Sequence, residues 1–168
     1  MPTMTIKKAL RNRLAGAKKV ALLGIGSDLR GDDVAGMLAA EKLFKLLAKK
    51  TTPKLKVFFG STAPENLTGE IKKFKPDHLI MVDTVEIGEK PGTMLVLAGQ
   101  EMGEGVSFST HKMPAKILSE YFSRSIKCNV TIVGIQPASL DFGKKPSKTV
   151  IDAAGEIARA IKDIVFGR

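Results

Sequence analysis

The chain has 168 residues, one cysteine and a formal net charge of +10, from 27 Lys and Arg against 17 Asp and Glu. This length is that of one domain, and a single cysteine excludes an internal disulfide and favours a reducing compartment. The N-terminal residues contain no apolar run long enough for a secretion signal or a transmembrane helix. We therefore expect one cytoplasmic domain over residues 1–168, with residues 1–17 as a basic N-terminal helix extension.

The positive charge is concentrated in two parts of the chain. Residues 1–27 contain six Lys and Arg and no acidic residue. A second basic group comprises Lys42, Lys45, Lys49, Lys50, Lys54 and Lys56. Such groups attract acidic partners or nucleic acid. Because Trp is absent and there is one Tyr, however, few aromatic side chains are available for nucleobases to stack on. Solvated faces are the simpler interpretation, and we expect no nucleic-acid partner, although a nucleotide or nucleic-acid module stays open as an alternative.

Apolar runs and helical periodicities alternate along the chain. They predict strands at residues 19–25, 54–59, 78–82, 93–97 and 130–135, and helices at 4–15, 33–48, 64–74, 112–123 and 147–165. This order predicts a three-layer α/β/α fold with a five-stranded, mostly parallel twisted sheet. Because residues 86–92 are too few to hold a crossover helix, the strand at 93–97 is expected to be antiparallel and to form a hairpin with the strand before it.

The segment VALLGIGSDLRGDDVAG, residues 20–36, reads as a buried strand, a glycine turn, a loop and the start of a helix. It places Asp32 and Asp33 where the carboxyl end of a strand meets the amino end of a helix. Ligands bind at this edge in open α/β sheets. One carboxylate can cap the helix, which leaves the other available for chemistry.

Strand direction sorts the other polar candidates. Asp83 ends the third strand at the same edge as Asp33, and His111 precedes a helix whose start can reach that edge. His78 begins the third strand, roughly 16 Å away at the opposite edge. Asp33, Asp83 and His111 would suit a divalent transition metal with open coordination positions. A buried Asp–His pair without metal is the competing interpretation.

Other catalytic patterns are absent from the sequence. There is no G-x-G-x-x-G, no phosphate-binding G-x-x-x-x-G-K-[ST], no G-x-S-x-G and no H-E-x-x-H. Cys128 precedes the last strand and should lie at the amino edge of the sheet. A cysteine nucleophile is therefore not expected.

Five segments resemble, in order, those of the [NiFe]-hydrogenase maturation endopeptidases. The segment GIGSDLRGDDVAG is similar to the first family motif, approximately G-x-G-N-x-L-x-x-D-[DE]-G-x-G. The segments STAPEN, IMVDTVEIGEKPG, STHKMP and GIQP resemble the branch that processes the hydrogenase of formate-hydrogenlyase-type complexes. Two positions depart from the first motif, with Ser27 in place of Asn and Val34 in place of Gly.

The resemblance implies an activity and a set of site residues. It implies an endopeptidase that removes the C-terminal extension of the nickel-loaded hydrogenase large-subunit precursor. Asp33, Asp83 and His111 match the family's metal-contacting and catalytic positions. The nickel is expected to come with the substrate, and Asp32 becomes the expected helix cap. We expect a monomer without membrane insertion, and a non-cleaving, nickel-checking chaperone of the same fold is the alternative.

Overall fold

The structure is a computed structural model that describes residues 4–102, 106–108 and 114–167. Five α-helices are described: α1 (Ile6–Arg13), α2 (Ala35–Leu46), α3 (Thr68–Phe74), α4 (Ala115–Phe122) and α5 (Lys148–Phe166). Six strands are described: β1 (Val20–Ile25), β2 (Leu55–Ser61), β3 (His78–Glu86), β4 (Met94–Ala98), β5 (Ser107–Phe108) and β6 (Asn129–Ile135). Short 3₁₀ turns at Gly31–Val34 and Pro64–Leu67 lead into α2 and α3.

Five strands form the main sheet in the order β2-β1-β3-β6-β4, and the two-residue β5 pairs with β3. The contacts between β1, β2, β3 and β6 are parallel, whereas β4 is antiparallel to β6. One apolar core lies between the sheet and α1, α2 and α5, and a second lies between the sheet and α3 and α4. The predicted three-layer architecture with one antiparallel main strand is therefore confirmed.

The partner of β4 differs from the prediction. A hairpin with β3 was expected, but β4 pairs with β6, which lies between them, with Leu95 opposite Gly134. The β3–β4 loop crosses the end of β6, where Gly92 N donates to the Gln136 carbonyl at 2.8 Å. The loop is too short for a helix but long enough to pass over one strand, so the position and direction of β4 were predicted correctly and its partner was not.

Strand β3 is longer than predicted. It continues past residue 82 to Glu86, so Asp83 lies within the strand rather than just after it. Within this extension, Asp83 and Thr84 pair with β6, and Val85 and Glu86 pair with β5. A two-residue partner such as β5 has no periodicity that a sequence could reveal.

The helices pack against the sheet along amphipathic faces. The longest described helix, α5, has 19 residues, of which eight are buried along one side. Within the part of the chain that the structure describes, no helix combines the length and the apolar character needed to cross a membrane.

A glycine allows a close contact between α2 and the sheet. A Cβ atom built on Gly36, in the first turn of α2, would run into the carbonyl oxygens of Ile25 and Val82. These atoms belong to the backbone and cannot rotate away. The start of α2 therefore sits directly on the carboxyl ends of β1 and β3, which fixes where the preceding turn lies.

We predict that Gly36→Ala lowers the free energy of unfolding by about 3 kcal/mol or more, because backbone must move to admit the methyl group. The denaturation midpoint and slope in urea measure this change. The control is Gly69→Ala in α3, where an added Cβ meets nothing within 4 Å. The control should unfold at the same urea concentration as the wild-type protein or a slightly higher one. An equal loss of unfolding free energy in both variants would contradict the close-contact explanation.

Candidate functional site

Asp33 lies in the 3₁₀ turn between β1 and α2 and is fully buried. Its amide donates to the Arg30 carbonyl at 3.1 Å, and its carbonyl accepts from Ser27 N at 3.3 Å. The Arg30 guanidinium is 3.9 Å from Asp33 Oδ2, at the edge of ion-pair distance. Both the backbone and a neighbouring cation therefore fix the place of this carboxylate.

Asp83 lies near the carboxyl end of β3, opposite Gly134 of β6, and is 1% exposed. Its Oδ1 accepts a hydrogen bond from Thr84 N at 2.7 Å. The Thr84 hydroxyl in turn donates to the Asp32 carbonyl at 3.1 Å, which ties β3 to the turn that carries Asp33. Asp33 and Asp83 thus lie on adjoining elements at one edge of the sheet, where strand direction places them.

His111, the third member of the predicted set, lies outside the described residues. Among residues 4–102, 106–108 and 114–167, no group of three His, Cys, Asp or Glu side chains is arranged to hold a metal ion. The metal-contacting and catalytic roles of Asp33, Asp83 and His111 stay predictions.

His78 lies at the opposite edge of the sheet, as predicted, and pairs with Val20 and Asn129 at the amino ends of their strands. It is buried, with Nε2 2.7 Å from the Thr131 hydroxyl. Burial lowers the pKa of His78, and the nearby Asp77 carboxylate opposes that shift only in part. The imidazole is therefore a structural group away from the candidate site.

Cys128 also lies at the amino edge, directly before β6, and is 8% exposed. Burial raises the pKa of its thiol to about 11. At neutral pH the side chain is a thiol rather than the thiolate that acts as a nucleophile.

Asp32 does not cap the helix that follows it, contrary to the prediction. The turn at Gly31–Val34 and α2 have no side-chain cap. The Asp32 carboxylate instead reaches the loop before α5 and accepts four hydrogen bonds. The donors are Ala138 N (2.8 Å), Ser139 N (3.3 Å), Ser147 N (2.6 Å) and Ser147 Oγ (2.9 Å).

Backbone contacts reinforce this connection, which we call the Asp32 clamp. Asp32 N donates to the Ser139 carbonyl at 2.9 Å, and Gly143 N donates to the Leu29 carbonyl at 3.0 Å. Gly31 has a φ of +56°, and a Cβ there would lie 2.6 Å from the Ser139 carbonyl oxygen. The clamp joins the β1–α2 loop to the β6–α5 loop across more than 100 residues of sequence, so no local pattern could have revealed it.

Gln136 holds a third loop at the same edge. Its side-chain amide nitrogen donates to Glu86 Oε1 at 2.7 Å, and its oxygen accepts from Ile87 N at 2.8 Å. The sequence analysis quoted this residue within the segment GIQP without assigning it a role. It ties the end of β6 to the loop that follows β3.

A cavity of about 270 Å³ opens beside the turn that holds Asp33. Its lining combines the glycine turn, the start of α2 and the end of β2, and includes Gly26, Asp28, Val34, Met37, Phe59 and Ser61. Phe59 is 40% exposed, so the cavity has an apolar side open to solvent. The candidate site therefore adjoins a small, partly apolar cavity.

Comparisons with known proteins agree on one family. A family model described as hydrogenase maturation protease matches residues 37–165. The hydrogenase 3 maturation protease of Escherichia coli K12 is 30% identical over 141 residues, which cover 84% of this chain and 87% of that protein. The chain belongs to the hydrogenase maturation protease family, and it is a peptidase of that family.

Solved structures show the same likeness. The crystal structure of the [NiFe] hydrogenase maturation protease HycI from Thermococcus kodakarensis has a TM-score of 0.83 and 31% identity, and covers 94% of this chain and 98% of that one. The solution structure of the endopeptidase HycI from Escherichia coli has a TM-score of 0.67 and 28% identity, and covers 84% of this chain and 87% of that one. The fold described above is thus that of the family.

We predict that Asp32→Ala lowers the free energy of unfolding by about 3 kcal/mol, because it removes a buried carboxylate that accepts four hydrogen bonds and leaves part-buried donors without their acceptor. Urea denaturation measures the change. The control is Asp141→Ala in the same loop, whose exposed carboxylate pairs with Lys144 at 3.4 Å. Such a surface pair contributes about 0–1 kcal/mol to stability. Similar losses of unfolding free energy in both variants would therefore contradict a stabilising role of the Asp32 clamp.

We predict that Cys128→Ala keeps wild-type cleavage activity, since the thiol lies at the edge opposite the candidate site. Wild-type Cys128 should also react far more slowly with iodoacetamide at pH 8 than free cysteine does, because it is protonated and buried. Loss of cleavage in a folded Cys128→Ala variant would show that the thiol takes part in the reaction.

Proposed function

We propose that this peptidase removes the C-terminal extension of a nickel-loaded [NiFe]-hydrogenase large-subunit precursor. The observation that carries the proposal is the burial of Asp33 and Asp83 on adjoining elements at the carboxyl edge of the sheet. Two carboxylates in that position suit a metal-guided hydrolysis, and no other catalytic pattern in the chain suits that reaction as well. Family membership and the E. coli hydrogenase 3 relative support the choice of substrate.

In the proposed site, Asp33, Asp83 and His111 contact the nickel that the precursor brings. Carboxylate and imidazole groups are suitable ligands for a divalent transition metal that is also bound by other groups. The nickel is thus part of the substrate, and the three side chains would recognise a precursor only after metal insertion. This contact also places the scissile peptide bond beside the two carboxylates.

A water molecule is the proposed nucleophile. It adds to the scissile carbonyl carbon as a carboxylate accepts its proton, and the proton then passes to the leaving nitrogen as the C–N bond breaks. One water is consumed, and the products are a new C-terminal carboxylate and the amino group of the released extension. No side-chain nucleophile is needed, which agrees with the remote position and raised pKa of Cys128.

In the proposed function, the protein acts as a monomer in the cytoplasm, where the precursor is available before the hydrogenase is assembled. The net charge of +10 would favour encounter with an acidic partner.

We predict that the purified protein shortens the nickel-loaded precursor and leaves the nickel-free precursor intact, as seen by gel mobility and mass spectrometry. Asp33→Ala, Asp83→Ala and His111→Ala should each reduce the rate at least about 100-fold, because each removes a group that orients the reaction. The matched control is His78→Gln, which removes the other histidine and keeps a hydrogen-bonding group beside Thr131.

Three outcomes would contradict parts of the proposal. A stable nickel-dependent complex without cleavage would identify a non-cleaving chaperone. Full activity of Asp33→Ala would show that the site is elsewhere, and equal cleavage of the nickel-free precursor would remove the role of the metal. Circular dichroism of each variant distinguishes lost chemistry from lost folding.

A further inference from the structure

Leu29 and Phe142 are the two most exposed large apolar side chains among the described residues, at 62% and 76%. Single exposed apolar residues are ordinary, but neighbouring ones on fixed loops mark interaction surfaces. Leu29 belongs to the β1–α2 loop and Phe142 to the β6–α5 loop. Both loops lie at the carboxyl edge of the sheet, beside the turn of Asp33.

The two loops are joined to each other. Gly143, the residue after Phe142, donates its amide to the Leu29 carbonyl at 3.0 Å. The Asp32 clamp holds the same loops together through four further hydrogen bonds. Leu29 and Phe142 are therefore presented together on a braced surface, which reduces the entropy that binding would cost.

We propose that Leu29 and Phe142 form a docking site for the folded body of the large-subunit precursor, apart from the tail that is cleaved. The inference rests on the proposed function and adds to it a surface that binds substrate without touching the reacting atoms. An apolar patch of the precursor covers the two side chains and directs the tail towards Asp33, four residues after Leu29.

The charge around the patch favours an acidic partner. Lys144 pairs with Asp141 at 3.4 Å and Lys148 pairs with Asp152 at 3.0 Å. Lys145, beside them, is exposed and adds a positive charge close to Phe142 in sequence. An apolar spot with an Asp or Glu at its rim on the precursor would complement Phe142 and Lys145. A second copy of this chain fits less well, because a two-fold interface would bring together two surfaces of one protein whose net charge is +10.

The test compares Leu29→Ser, Phe142→Ser and the double variant with wild-type protein on the nickel-loaded precursor. Both side chains are exposed, so the variants should fold normally. We expect the double variant to raise KM and the Kd for the precursor at least 10-fold and to leave kcat unchanged. Lys145→Glu should raise KM several-fold, with a smaller difference at high salt, where screening weakens charge attraction.

The matched control is the pair Leu46→Ser and Phe166→Ser. These side chains are 39% and 38% exposed and lie at the far ends of α2 and α5, away from the candidate site. They should leave KM, Kd and kcat unchanged. An equal rise in KM in the control pair would show a general effect of surface apolarity and would overturn the proposal.

Cleavage and binding are read separately so that the two proposals can fail independently. If wild-type protein binds the precursor without cleaving it, the proposed function is wrong, and lost binding in the double variant still supports the docking site. Unchanged KM and Kd in the double variant would overturn the docking site alone. A wild-type dimer that the double variant converts to monomer, seen by sedimentation, would also overturn it, because the patch would then bind a second copy.

Discussion

The buried carboxylate of Asp32 is the constraint on which the candidate site depends. It is 1% exposed and accepts hydrogen bonds from three backbone amides and one hydroxyl of the loop before α5. An ionised carboxylate at such burial is tolerated because charge-assisted hydrogen bonds replace its water. These four hydrogen bonds hold the two loops together. The place of the Asp33 turn follows from that arrangement and from the contact of Gly36 with β1 and β3.

The adjacent acidic residues therefore have different environments although they share a turn. Asp32 faces the β6–α5 loop, whereas Asp33 Oδ2 lies 3.9 Å from the Arg30 guanidinium. Successive residues of a tight turn point in different directions, which allows two buried carboxyl groups to be neighbours in sequence. The Asp32 carboxylate is engaged by four hydrogen bonds that join two loops, so it is poorly suited to contact a substrate metal. This division supports the choice of Asp33 over Asp32 as the nickel contact.

Strand direction was enough to predict that Asp33 and Asp83 lie at the same edge of the sheet, because parallel strands share their carboxyl ends. The same argument correctly located His78 and Cys128 at the opposite edge. It failed for contacts between distant segments. The donors to the Asp32 carboxylate are 106 to 115 residues away, so a cap on the adjacent helix was the only contact that local spacing could suggest. The pairing of β4 with β6 was missed for a similar reason, since a short loop fixes direction but not which neighbour is reached.

The two departures from the family motif can be judged by backbone geometry. Val34 has a φ of −78°, which any residue adopts, so a glycine is not required there. The hydroxyl of Ser27 accepts from Leu29 N at 3.2 Å and thus supplies a local hydrogen bond from the position where the motif has Asn. Gly36, by contrast, occupies a place where a Cβ would collide with backbone. The sequence thus has glycine at position 36, where packing requires it, and departs from the motif at Ser27 and Val34, where the local geometry accepts another residue. These departures therefore give no structural reason to prefer a non-cleaving chaperone over a peptidase.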